Sequence, residues 1–141
     1  MNVKILLRIA SGLLIFHLIA HTLGHSGWKR AEEPLKQEII NKMIGHKFPF
    51  MGAERSMGDY YEGYGYASTV ALAFMAVVLW LISGAINTNK ELSYRILLSL
   101  SLALLFWGGI EALYFFPFAA SITLLACLLT LISAVQLRGN K

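Results

Sequence analysis

The chain has 141 residues, 57% of them hydrophobic and only 14% charged, with a net charge of +4. That balance is too apolar for an ordinary water-soluble domain and suits one compact helical bundle solvated by lipid. The basic residues are scattered without the dense cluster that a nucleic-acid surface needs, so no nucleic-acid partner is expected. The single cysteine, Cys127, lies in an apolar run, excludes an intrachain disulfide and reads as packing.

Crossing a hydrocarbon core takes roughly 20 apolar residues. The first such segment runs from about Ile5 to Leu23. Lys4, Arg8 and the stretch behind them imitate a secretory signal, but the stretch ends in histidines and lacks an A-x-A-like site, so it reads as a retained first helix. The other spans fall at 66–86, 96–116 and 118–137. In lipid each must be helical, because no water is there to satisfy its backbone. Pro117 in FFPF breaks the ladder between the third and fourth spans and predicts a tight helical hairpin. The expectation is an all-α integral membrane four-helix bundle, residues 1–141 forming a single transmembrane domain.

Between the first two spans lies an extramembrane loop over about 27–65, long enough to be structured or functional. Pro34 suits a first helical position, and Leu35, Ile39, Ile40, Met43 and Ile44 recur at helical spacing before Gly45. This predicts an amphipathic helix on the membrane surface or capping the bundle. Lys47, Phe48, Pro49, Phe50, Met51 and Gly52 read as a rigid turn on a surface loop, and Gly63 and Gly65 as turn or close-entry positions.

Basic residues mark the N-terminus (Lys4, Arg8), the second connection (Lys90, Arg95) and the C-terminus (Arg138, Lys141), while the third connection has none. The positive-inside rule then places both termini in the cytoplasm, in what reads as a bacterial inner membrane. The long loop carries six basic and six acidic residues, and loops of that kind follow the rule poorly.

The strongest chemical signal is HLIAHTLGH, which sets His17, His21 and His25 at successive i, i+4 positions. They form one stripe with about 40° of drift and about 6 Å of rise per step. Glu111, inside GGIEALYF, is an ionisable group at a depth where it must face a partner or a cavity. Counting about 1.5 Å per residue from Lys4 and Arg95 puts His21 and Glu111 at one level. The segment RSMGDYYEGYGY brings Arg55, Asp59, Tyr60, Tyr61, Glu62 and Tyr64 to the same region. The site residues expected from this are His21, Glu111 and Asp59 for acid–base work, with His17, His25, Glu62, Tyr61, Arg55 and Tyr114 around a ligand. Against it, membrane histidines often only hydrogen-bond to a neighbour, Glu111 has a plain ion pair with Arg55 as its alternative, and Asp59 or Glu62 can serve as a helix cap. The tyrosines suit an interfacial belt, Trp28 an interface anchor, and Trp80 and Trp107 either core or lipid-facing positions. The fourth span offers only Ser121, Thr123, Thr130, Ser133 and Gln136 and reads as scaffold.

The motifs HTLGH, KFPFMG and RSMGDYYEGYG, with the four-span layout, resemble a group of small bacterial membrane proteins of uncharacterised function that carry HTxGH near the N-terminus. More loosely, size and helix plan resemble the DoxX-like and emopamil-binding (EXPERA) proteins. The emopamil-binding resemblance implies histidine and acidic side chains lining a sterol-sized cavity, by architecture alone.

Three functions follow as expectations. The first is binding, and acid–base transformation, of a lipid-like hydrophobic small molecule in a polar-lined intramembrane cavity near the outer face, with membrane lipids as partners. The second is a metal-dependent enzyme with zinc or iron held by His17, His21, His25 and Glu111. The third is a non-enzymatic accessory subunit, with Ser83 and Gly84 on an outer helix face meeting another protein. Haem is disfavoured, because ligands four residues apart on one helix lie on the same side of the ring, and no other span has a histidine.

Overall fold

A computed structural model describes residues 2–139. In chain order it has α1 (Val3–Ser26), α2 (Pro34–Gly45), the strands β1 (Lys47–Phe50) and β2 (Ala53–Ser56), α3 (Met57–Ala85), α4 (Lys90–Tyr114) and α5 (Pro117–Gly139). α1, α3, α4 and α5 are long and apolar enough to cross a membrane. The all-α four-span architecture expected from the sequence is therefore the one observed, with a small hairpin added.

The chain divides into two compact units, residues 1–18 with 72–141, and residues 19–71. Both draw on α1 and α3.

In the first unit each helix buries a row at three- and four-residue spacing. α1 contributes Leu7, Ala10, Ser11 and Leu14, and the row continues into His17. α4 contributes Leu97, Leu100, Leu104 and Gly108 and continues into Glu111. The two ionisable residues are thus placed inward by the same periodicity that builds the core. α3 adds Leu72, Met75, Ala76 and Leu79. α5 buries a face of mostly small residues, among them Ala119, Ala120, Thr123, Ala126 and Cys127, which lets backbones approach closely. A Cβ on Gly108 would meet the Leu124 side chain at 2.7 Å, so α4 and α5 fit by that missing atom. Ser11 Oγ donates to the Ala76 carbonyl at 2.8 Å, tying α1 to α3. Between α4 and α5, Phe115 caps the first helix through its N–H to Glu111 O, and Pro117 opens the second, as the FFPF motif predicts.

In the second unit α2 forms as predicted, with Pro34 in its first turn and Ile40 buried. The KFPFMG segment supplies β1 and the turn of a two-stranded antiparallel hairpin, in which Lys47 pairs with Ser56 and Phe50 with Ala53 of β2. Met51 and Gly52 both have positive φ, 47° and 84°, as a two-residue type I′ connection requires. α3 begins at Met57, nine residues before the expected Tyr66 (66 − 57). The glycines of this segment disfavour a helix. A capping box overcomes that cost: Ser56 N–H donates to Asp59 Oδ2 at 2.8 Å, and Asp59 N–H to Ser56 Oγ at 3.1 Å. Close packing against Gly58 and Gly65 helps as well, whereas a Cβ on Gly63 would meet nothing within 4 Å. Gly58 lies where a Cβ would be 3.1 Å from the Ile44 backbone and 3.2 Å from Trp28, and neither Gly63 nor Gly65 makes a turn.

Candidate functional site

The first unit holds a polar chain across three helices in an otherwise apolar interior. His17 is 5% and Glu111 6% exposed, and Thr123 is fully buried. Thr123 Oγ1 lies 3.1 Å from His17 Nδ1, and His17 Nε2 lies 3.4 Å from Glu111 Oε1. Trp107 Nε1 donates to the same Oε1 at 2.9 Å. An indole N–H can only donate, so Oε1 is an acceptor, and the consistent tautomer has Nε2–H of His17 pointing at it while the Thr123 hydroxyl donates to Nδ1. One hydrogen bond, from Trp107, and the approach of the His17 ring thus fall on the same carboxylate oxygen. The other, Oε2, is buried with no hydrogen-bond partner. Buried carboxylate oxygens are normally satisfied, so this one is available to a donor the protein does not supply.

The expected partnership of His21 with Glu111 is corrected by one helical turn, because His17 meets Glu111. Counting from Lys4 and Arg95 assumes that both helices start at one level, whereas Glu111 lies 21 residues after the first residue of α4 (111 − 90) and its neighbour His17 only 14 after that of α1 (17 − 3), so the two helix starts are not level. The scaffold reading of the fourth span is corrected too, since α5 supplies Thr123. The position of Trp107, four residues before Glu111, was a usable signal in the sequence. Thr123 had none, because the register between helices is not written in either one. Tyr114, expected near a ligand, is exposed on the last turn of α4.

The second unit gathers the other histidines among aromatic rings. His21 Nε2–H donates to the Gly65 carbonyl at 3.0 Å, which also accepts from Thr69 Oγ1. The His21 and His25 rings are parallel, with centroids 5.9 Å apart. His25 packs against Tyr61 and Tyr66, and Trp28 against Tyr61 at 4.7 Å. The His25 ring occupies the space where a Cβ of Gly65 would be. His25 Nε2 and Trp28 Nε1 are buried without hydrogen-bond partners. Glu62 pairs with Lys29 at 2.8 Å and accepts from the Tyr66 hydroxyl at 3.3 Å. That hydrogen bond from Lys29 to Glu62 holds the ammonium above its ordinary pKa. Asp59 is engaged in the cap of α3, and Arg55 is exposed and bonded to the Glu54 carbonyl. The ion pair considered for Glu111 and Arg55 is replaced by the Trp107 and His17 contacts on Glu111.

The stripe therefore divides: His17 serves the polar chain of the first unit, and His21 and His25 the aromatic cluster of the second. Among the described residues no three His, Cys, Asp or Glu side chains come together as a metal-binding group. Ser83, expected on an outer helix face, is buried and bonded to Trp80 O, and only Gly84 of that pair is exposed.

These features define an integral membrane protein of four spanning helices with a buried histidine–carboxylate pair. No protein-family model matches the sequence, and no curated protein or solved structure is detectably similar to it.

Proposed function

We propose that this bundle binds a lipid-like molecule through a hydroxyl or amine donor placed on Glu111 Oε2, and that the His17–Glu111 pair then moves a proton in acid–base chemistry on it. The carrying observation is the division of labour on one carboxylate, with Oε1 hydrogen-bonded to Trp107 and approached by His17, and Oε2 buried without a partner. A donor from the ligand completes the set. Proton transfer would break the ligand's O–H, N–H or activated C–H bond and form O–H at Oε2. The Trp107 hydrogen bond to Oε1 keeps that carboxyl group oriented, and Thr123 on Nδ1 fixes the imidazole tautomer that presents Nε2–H to it.

Access from lipid is supported by Phe16 and Phe118, both half exposed, which meet edge to face at 6.2 Å between α1 and α5, next in sequence to His17 and at the start of the helix carrying Thr123. The favoured setting is a bacterial inner membrane with both termini cytoplasmic, which puts the pair toward the outer half of the bilayer.

The test is lipid extraction and mass spectrometry on gently purified wild type and Glu111→Gln. The amide keeps the size but presents a donor where the ligand's donor must go. An amphiphile enriched over the bulk membrane in wild type and lost in the variant supports the proposal; identical lipid profiles would sink it.

A further inference from the structure

The opposite end of the first unit carries two adjoining recesses that share Lys90 and Leu137. The larger, about 290 Å³, is lined by Asn2, Lys4, Ser83, Asn87, Lys90 and Leu137 among others. The smaller, about 200 Å³, adds Glu91, Tyr94 and Arg138. The N-terminal turn of α1, the end of α3, the start of α4 and the end of α5 thus surround one polar basin at the end of four spanning helices, where a membrane meets water.

Its charge is uneven. Among the described residues that line the two recesses, Lys4, Lys90 and Arg138 are basic and only Glu91 is acidic, its carboxylate 2.9 Å from Arg95 Nε. Among the described residues neither Lys4 nor Lys90 is in an ion pair, while Lys29, Lys42 and Arg95 each have one. Arg138 rests on the Tyr94 ring at 5.8 Å, which holds its guanidinium beside the recess. The flanks are greasy, since Ile5, Leu81 and Leu92 are all more than half exposed. Arg8 lies over the Trp80 ring at 4.9 Å, an aromatic–cation pair of the kind that sits at headgroup level.

We infer that this basin binds the phosphate of an anionic phospholipid headgroup, with Lys4 and Lys90 as its cationic contacts and the acyl chains lying along the exposed apolar flanks. Basic pockets between spanning helices on the cytoplasmic side recognise such headgroups by this chemistry. Asn2 and Asn87 supply uncharged polar groups of the sort that a phosphate diester and its glycerol oxygens use. This inference uses no residue of the His17–Glu111 chain, so either one can fail alone.

The experiment is native mass spectrometry of the full chain from detergent, with titration of phosphatidylglycerol or cardiolipin against phosphatidylcholine. The variants are Lys4→Ala/Lys90→Ala, the charge-retaining Lys4→Arg/Lys90→Arg, and the charge-matched control Lys36→Ala/Lys47→Ala in the second unit. At roughly a fivefold loss for each lysine near a phosphate, the double alanine variant should bind anionic lipid about 25-fold more weakly. The arginine variant and the control should stay near wild type. Equal binding by wild type and the double alanine variant overturns the site. An equal loss in the control overturns it as well, because the attraction would then be diffuse charge. Inorganic phosphate displacing the lipid at equal concentration would make the ligand a soluble anion and overturn the headgroup assignment. The lysines lie at helix ends outside the core, and thermal unfolding confirms that each variant is folded.

Discussion

His17 and His21 stand one turn apart on the same helix and do different work. His17 meets a carboxylate in a dry interior, whereas His21 meets a backbone carbonyl that already has a second donor. A buried carboxylate is expensive unless its donors are in place, and a carbonyl with two donors loses little when one goes. Sequence spacing made the two histidines equivalent, and only their surroundings separate them.

The sharpest way to break the comparison is to remove each partner. Glu111→Ala leaves the Trp107 and His17 donors facing apolar surroundings and should destabilise the protein by about 2–4 kcal/mol. His21→Ala should cost only about 1 kcal/mol, since Thr69 still serves the Gly65 carbonyl. Unfolding in mixed micelles measures both. A double-mutant cycle on His17 and Glu111 should return a coupling of about 1 kcal/mol. Equal losses at Glu111 and His21, with no coupling in the cycle, would mean the buried pair is no more than another polar contact.

The aromatic cluster fails by a different route. Gly65→Ala would raise helix propensity by about 1 kcal/mol, yet its methyl group overlaps the His25 ring. We expect a net loss of about 1–3 kcal/mol from that overpacking. Adding His25→Ala should recover most of it, because the space is then free. If the double variant is no better than Gly65→Ala alone, the glycine serves the backbone and not the ring.

The spans, the proline hairpin and α2 were legible because each is written in one continuous stretch of sequence. Glu111 was legible as inward-facing from its own chemistry, since an ionisable group at that depth needs a partner or a cavity, and the structure shows it extending the row Leu97, Leu100, Leu104, Gly108. What could not be read was register. Choosing His17 over His21 as the partner of Glu111, and finding Thr123, depend on how helices slide against one another, and about one turn of sliding leaves every hydrophobic pattern intact. The early start of α3 was hidden for a local reason. Its glycines argue against a helix until Ile44, Trp28 and His25 are seen to need the space.

A smaller effect concerns charge in the second unit. Lys29 has its pKa raised by its hydrogen bond to Glu62. A lysine whose folded pKa exceeds its unfolded one adds stability below the unfolded value, and that contribution disappears as pH rises through the folded one. The unfolding midpoint should therefore fall at strongly alkaline pH, and Lys29→Gln should flatten that part of the profile. Both groups are partly solvated, so added salt should shrink the difference. An unchanged alkaline slope in the variant would show that the pair contributes nothing to stability.

The hairpin tip gives the smallest effect and the cleanest sign. Met51 is 92% exposed and has φ of 47°, a left-handed conformation that costs a side chain such as methionine roughly 1 kcal/mol and that asparagine tolerates far better. Nothing is packed there to lose. Met51→Asn should therefore stabilise the β1–β2 pairing by about 0.5 kcal/mol, because an Asn-Gly connection favours the type I′ turn already present. The hairpin can open without global unfolding, so the gain is to be sought in amide hydrogen exchange across the Lys47–Ser56 and Phe48–Arg55 pairs. Slower exchange there, with Glu111 and Gly65 variants leaving it untouched, would show that the tip is stabilised by its own turn; faster exchange would mean that the exposed methionine holds the loop through a contact made in the membrane interface.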